Sequence, residues 1–310
     1  MRFNLLVAGA AAALMANACV PTPNEPEPAP PTGQVVQALP TPIPAPAPTP
    51  APNPAPAGPT TFVYAGELIQ GGWIRGQVPA GTTSARLGEQ ALMLDEAGRF
   101  LAAFDRDAGP NALLVAELED GRTIESPLAI SPRDWDIEHV NVARRAGSPS
   151  ESFLTRRRPE LEAIYLSRQE RTGSQGWRQD FIWPVTGRIS GRFGSQRIYR
   201  GEPGSYHSGL DIATGESGTP FVAPADGVVV LAEEDFSLEG QLLIIDHGMG
   251  LNSAFLHASR LLVDEGDRVT QGQPIGHIGA SGRATGPHLH WGLKWNDARL
   301  DPLLFVGPMP

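Results

Sequence analysis

Beyond residue 60 the apolar residues come in short runs that alternate with polar ones, the period of a strand rather than of a helix. Phe62–Ile69, Trp73–Val78, Ala91–Leu94, Phe100–Phe104, Ala112–Leu118 and Thr123–Ile130 each read as a strand. Turn-forming clusters such as Asp95-Glu96-Ala97-Gly98 and Glu119-Asp120-Gly121 separate them. This pattern predicts a small antiparallel β-sandwich over residues 61–131, with a structural or wall-docking role and no titratable cluster. Residues 132–180 differ: from Pro159 to Arg171 apolar residues stand at 161, 164 and 165, a proline suits the first helical turn, and Gly173 ends the run. A helical connector is expected there. Residues 181–310 return to β patterning, with strands at Gly227–Glu233, Gln241–Asp246, Ser253–His257 and His288–Leu293 and no helix longer than a turn or two. The predicted fold class is mainly β.

The N-terminus follows another logic. Arg2, an apolar stretch from Leu5 to Met15, and Ala16-Asn17-Ala18 before Cys19 form a secretory signal over residues 1–18, too short to span a bilayer as a mature helix. Cys19 is the only cysteine and falls at the cleavage point, where bacterial lipoproteins carry their lipid. Export and lipid anchoring are therefore expected, in the periplasm at the outer membrane, and no disulfide can form within one chain. Residues 20–59 hold 16 of the 31 prolines, too little apolar surface to fold. Residues 19–60 thus read as a polyproline II tether with a reach of up to ~120 Å.

Charge narrows the partners. The net charge is −10, and Lys294 is the only lysine among 24 basic residues. A basic surface for nucleic acid is excluded, because phosphate neutralisation needs clustered positive charge. The one basic run, Arg156–Arg158, reads as a solvated helix face.

Of the 7 histidines, all but His139 lie between residues 207 and 290. His207 stands four before Asp211, and His288-Leu289-His290 opens an apolar strand, where alternate residues share a face. Two imidazoles on one strand face are unusual in a core, since buried rings need partners and neutral imidazole is the commonest metal ligand. Two His nitrogens and one carboxylate would give zinc three ligands and leave the fourth position for water. His247, before Gly248 at a strand end, is read as structural; His277 as a loop or surface residue; His139 as incidental. Arg192 and Arg197 are read as solvated, with a bidentate grip on a peptide carboxylate as their functional option. Gly191, Gly194 and Gly209 are assigned to backbone geometry.

Six stretches in order carry a family resemblance: Ser190-Gly-Arg-Phe-Gly194, His207-Ser-Gly-Leu-Asp211-Ile-Ala, Val222-Ala-Pro-Ala-Asp-Gly227, Ile245-Asp-His-Gly248, Gly266-Asp-Arg-Val-Thr-Gln-Gly-Gln273 and Thr285-Gly-Pro-His-Leu-His290. The segment resembles the lysostaphin/LytM family of zinc metallopeptidases, over about residues 181–310. That resemblance implies zinc held by His207, Asp211 and His290, with His288 and His257 flanking the reacting centre. It further implies hydrolysis of peptidoglycan peptide cross-links by attack of zinc-bound water on the scissile amide. One departure is Phe255-Leu-His-Ala-Ser259 where the family commonly shows Tyr-x-His-Leu-Ser.

Two other readings compete. Some members of that family have lost ligands and activate cell-wall amidases, but every ligand position is filled here. A lipoyl- or biotinyl-type carrier would need a modified lysine on an exposed hairpin, and Lys294 follows the His-x-His strand instead.

Overall fold

The computed structural model describes residues 58–143 and 150–310. The signal, Cys19 and most of the proline tether lie outside them. Among the described residues no helix is long and apolar enough to cross a membrane.

The first part is built from β1 (Val63–Gly66), β2 (Trp73–Gln77), β3 (Thr82–Leu87), β4 (Gln90–Ala91), β5 (Arg99–Ala103), β6 (Asn111–Leu118) and β7 (Thr123–Ala129). They form two antiparallel sheets, ordered β1-β2-β5 and β4-β3-β6-β7. Ile74, Phe100, Leu101, Leu114 and Leu128 fill the core there. Strand β3 escaped the sequence reading because it buries only Ala85 along its length.

The connector holds a strand as well as a helix. Strand β8 (Ile137–Val140) is followed by α1 (Glu151–Ser167). The helix starts eight residues before the expected Pro159, because the Ser150 hydroxyl accepts the Phe153 N–H and caps it there. Pro159 lies inside the helix, where its missing N–H removes one backbone bond. Glu160 of the helix accepts from the Ser237 backbone N–H of the following domain at 2.8 Å and from the Arg157 guanidinium of its own helix at 2.9 Å. Arg157 also grips the Glu239 carboxylate at 2.5 and 2.7 Å. The basic run is therefore not a solvated face throughout, since the Arg157 side chain is only 11% exposed.

The remaining strands are β9 (Arg188–Gly191), β10 (Gln196–Tyr199), β11 (Glu202–Pro203), β12 (Leu210–Ala213), β13 (Pro220–Val222), β14 (Gly227–Phe236), β15 (Gly240–Gly248), β16 (Leu251–Leu261), β17 (Arg268–Val269), β18 (Pro274–Ile278), β19 (Leu289–Trp295) and β20 (Ala298–Leu300). One large sheet runs β17-β14-β15-β16-β19-β12-β9, with β20 on β19 and β18 bridging β16 to β13. Strand β10 pairs with β11 and, in parallel, with β8. Along β19 the alternation is strict: Leu289, Trp291, Leu293 and Trp295 are buried, while His290, Gly292 and Lys294 share the opposite face. Part of that open face is covered by α1, whose Ala163 and Ile164 pack on Leu242, Ile244 and Ala254. Fully burying side chains such as Leu242 and Ile244 contributes roughly 1.5–3 kcal/mol each.

The N-terminal sheets are fastened to this domain. The Trp73 indole N–H donates to the Leu304 carbonyl at 2.8 Å, and Arg133 pairs with buried Asp301 at 2.7 Å. The Arg106 guanidinium donates to the Gly194 carbonyl at 2.9 Å.

His247 is wholly buried; its Nδ1 lies 2.8 Å from the Asp226 carbonyl and its Nε2 2.7 Å from the Ser253 hydroxyl. Burial lowers its pKa to about 4, against partial support from the Asp226 carbonyl. An unfolded histidine titrates near 6.5, so the stability from keeping His247 neutral is full above that pH and lost as pH falls toward about 4. The expected loss is about 3 kcal/mol across this window. Urea midpoints at pH 7 and pH 4 should therefore converge in His247→Asn relative to the parent; an equal acid loss in both would refute the assignment.

Candidate metal centre

The register of the sheet brings the first three residues together. Asp211 on β12 is paired with His290 on β19 and with Gly191 on β9. His207 precedes β12 in the loop, and its backbone N–H is held by the Ser195 carbonyl at 2.8 Å. His207 Nε2 lies 3.0 Å from Asp211 Oδ1 and 3.1 Å from His290 Nδ1, and His290 Nδ1 lies 2.8 Å from Asp211 Oδ1. Glycines leave the room: a Cβ on Gly191 would meet Asp211 Oδ2 at 2.5 Å, and one on Gly209 would meet His290 Nε2 at 2.6 Å.

Hydrogen-bond partners determine where the protons sit. A carbonyl only accepts, and the Arg192 carbonyl lies 3.0 Å from His207 Nδ1, so that nitrogen carries the proton in the neutral ring. His207 Nε2 therefore presents a lone pair toward a carboxylate oxygen and a second imidazole nitrogen. Three such donor atoms lie close enough to share one cation. Tetrahedral zinc with ligands at ~2.0–2.1 Å spaces them by ~3.3 Å, near the observed separations. The group could hold a metal on geometry and on donor chemistry alike.

The two flanking histidines close in from the other side. His288 Nε2 is 3.8 Å from Asp211 Oδ1, and the His257 and His288 ring centroids are 5.0 Å apart. Both rings give their Nδ1 to a carbonyl, Ser281 at 2.9 Å for His257 and Gly286 at 2.9 Å for His288. Each Nε2 is thereby left as an acceptor. His257 reaches the site through a bulge: opposite β15 the register skips between Leu243 and Gln241, and His257 takes φ 66°. A left-handed backbone at a residue with a side chain is costly, and here it turns an imidazole toward the centre.

The field is shaped by the carboxylate. Burial opposes the charge on Asp211, but hydrogen bonds and the charges of His207 and His290 outweigh it and hold the carboxyl far below the usual range. Burial lowers His207, yet the hydrogen bond and charge of Asp211 raise it above its ordinary value. For His290 burial prevails and its pKa falls; His257 is likewise lowered, first by burial.

The other histidines lie apart from this group. His277 is on β18 rather than in a loop, because Pro220 of β13 and Arg260 of β16 pair beside it; His139 lies exposed on β8. Arg197 is engaged by Glu138 at 2.6 Å, and Arg192 contributes its carbonyl to His207. Cavities flank the centre: His207 borders one of about 1050 Å³, and His290 borders another of about 300 Å³ under α1. The smaller one is lined by Arg168, Lys294 and Arg299. Of these, Lys294 was within reach of the sequence, being next but one after Gly292 on the face shared by His288 and His290.

Residues 205–302 match the family described as Peptidase family M23, so the C-terminal part of the chain is a domain of that family. The chain is 37% identical over 131 residues to the Lipoprotein NlpD/LppB homolog of Pseudomonas aeruginosa, covering 42% of this chain and 40% of that protein. It is 40% identical over 110 residues to the Peptidoglycan DD-endopeptidase ShyA of Vibrio cholerae, covering 34% and 24%. The matches thus span less than half the length of these relatives. A crystal structure from Pseudomonas aeruginosa assigned to peptidase M23 superposes with a TM-score of 0.60 at 27% identity, covering 78% of this chain and 96% of that one. That share exceeds what residues 181–310 could supply alone, so the likeness extends into the N-terminal sheets.

The glycine at 209 gives a direct test of the packing. Gly209→Ala places a methyl group 2.7 Å from the backbone oxygen of Trp291 as well as on the His290 ring. Overpacking of this kind is expected to cost about 1–3 kcal/mol by urea denaturation; an unchanged midpoint would show the site to be looser than described.

Proposed function

We propose that residues 181–310 are a zinc metalloendopeptidase that hydrolyses the peptide cross-links of peptidoglycan. The observation carrying this reading is the meeting of three lone-pair donors, His207, Asp211 and His290, beside two imidazoles with free Nε2 atoms. The match to Peptidase family M23 and the likeness to a protein named as a peptidoglycan DD-endopeptidase support the same reaction and substrate.

In this reading His207, Asp211 and His290 hold the zinc. A zinc ion held there would supply Lewis acidity toward the scissile carbonyl and toward a water whose pKa such an ion brings to about 7. The protein supplies the proton chemistry. His257 and His288 are tautomerically fixed by the Ser281 and Gly286 carbonyls; the one that accepts the proton of the attacking water at Nε2 then donates from it to the developing oxyanion and passes it to the leaving amine. The cavities on either side of the centre accommodate the peptide before and after the scissile bond.

The proposal includes a setting. Export through residues 1–18, a lipid on Cys19 at the outer membrane and a proline tether would let the domain reach the wall from a fixed point; the lipoprotein name of one relative supports the anchor. A silent module that activates amidases is the competing reading, and the complete set of His207, Asp211, His257, His288 and His290 argues against it.

Zinc content and digestion of purified peptidoglycan test the reading in the full chain. Asp211→Ala and His290→Ala should lose both bound zinc and the release of free amines, and a chelator should do the same to the parent. His288→Ala should retain zinc while the rate falls roughly 10²–10⁴-fold. No zinc and no cleavage in the parent would sink the proposal; full activity in His288→Ala would remove that residue from its role.

A further inference from the structure

Beside the metal centre the smaller cavity has a feature that the hydrolytic chemistry leaves unused. Its walls come from α1 on one side and from β19 and β20 on the other, and three cations meet in it. Lys294 and Arg299 are register partners across the β19–β20 hairpin, and Arg168 reaches in from the C-terminal end of α1. Like charges directly opposite on neighbouring strands are destabilising, so such a pair calls for a neutralising partner.

The protein supplies little of one. The Arg168 guanidinium donates at 2.5 Å to the side-chain oxygen of Asn252, a neutral amide. The nearest carboxylate to Lys294 belongs to Asp297, at 4.0 Å, and that side chain is 98% exposed. Glu239 borders the same cavity, but Arg157 already grips both its oxygens. Arg299 approaches the Tyr206 hydroxyl at 3.4 Å, and the carboxylate of Asp105 is taken by its backbone N–H at 2.8 Å. Burial, and then the charges of Arg168 and Arg299, lower the Lys294 pKa to about 8. An anion entering here would relieve that repulsion.

The shape defines the anion further. Lys294 shares its strand face with His290, four residues away, or ~13 Å along the strand. Gly292 between them leaves the floor clear. Leu161, Ile164 and Leu256 line the path with apolar surface. A hydrocarbon stem would lie on that surface with its charged end among the cations.

We propose that this cavity is a substrate subsite that takes a free carboxylate of the peptidoglycan stem peptide, with Lys294 as its principal contact and Arg168 and Arg299 in support. The subsite rests on the peptidase reading for the identity of its ligand. Three carboxylates of a stem peptide have this chemistry, the C-terminal one, the one on a diamino diacid side chain and the α-carboxylate of the γ-linked glutamate, and the test separates them.

Because Lys294 is the only lysine, ¹³C-methylation of its amine, which keeps the charge, gives one lysine NMR signal in the full chain. Tetrapeptide stems would be titrated with all carboxylates free and with each of the three amidated in turn. The free stem should move the Lys294 signal, and amidating whichever carboxylate enters the cavity should weaken binding about tenfold or more. Lys294→Met should weaken the free stem by a similar factor and erase the preference, and Lys294→Arg should restore it. In digests Lys294→Met should raise KM rather than lower kcat. Equal binding of all four stems, or an intact preference in Lys294→Met, would overturn the subsite. A chain that binds the free stem through Lys294 but opens no cross-link would instead sink the peptidase reading alone.

Discussion

The C-terminal domain is organised around one half-buried carboxylate. Asp211 sits where β9, β12 and β19 run side by side, and that register places Gly191, Asp211 and His290 in a row across the sheet. Each position has one physical requirement. The first must lack a side chain, the second must be an anion, and the third must offer a nitrogen to it. His207 then folds over the row from the preceding loop. A carboxylate buried to this degree is costly unless charge or donors compensate, and the hydrogen bonds and charges of the two imidazoles do so. The same three groups carry the lone pairs that a cation would take, and the rest of the site is arranged around them.

Second-level contacts then separate the five residues into two kinds. Ring nitrogens facing carbonyls are fixed as N–H donors, which leaves His207 to present a lone pair inward and leaves His257 and His288 with lone pairs at the edge. The difference lies in the distance to Asp211: His207 and His290 are within 3.0 Å of Oδ1, and His288 stands at 3.8 Å. In the proposed reading, a ring slightly too far to share a bound cation is placed to exchange protons with what that cation would bind.

Much of this was legible in the chain. The period of two around His288 and His290 announced a common face, and the structure bears out a mainly β fold. What escaped the reading has physical reasons. Strand β12 is four residues long, too short for an alternation to show, although it carries Asp211. The φ of His257 leaves no mark in composition, because the bulge depends on how β16 pairs with β15. The start of α1 was misplaced because Pro159 looks like a first-turn proline, whereas the cap at Ser150 lacks the acidic partner three residues on that usually signals one. The Lys294–Arg299 opposition required the two-residue turn at Asn296-Asp297 that sets their register.

The connector is also more than a spacer, and the path from it to the reacting centre is short. Arg157 on α1 holds the Glu239 carboxylate with both partners largely shielded, at 11% and 15% side-chain exposure. The backbone carbonyl of the same Glu239 accepts the N–H of His257 at 2.9 Å. Its neighbour Gly240, at φ 67°, lies so close to Ser281 that a side chain there would collide with it, and Ser281 in turn accepts from the His257 ring. The helix therefore pins the turn that keeps a left-handed histidine in place, at both its backbone and its ring. Asp211 and His290 depend instead on strand register at the other side of the site. Strain at His257 is thus balanced by an element that lies outside the large sheet, so the orientation of the His257 ring is tied to the docking of α1 while that of His207, Asp211 and His290 is not.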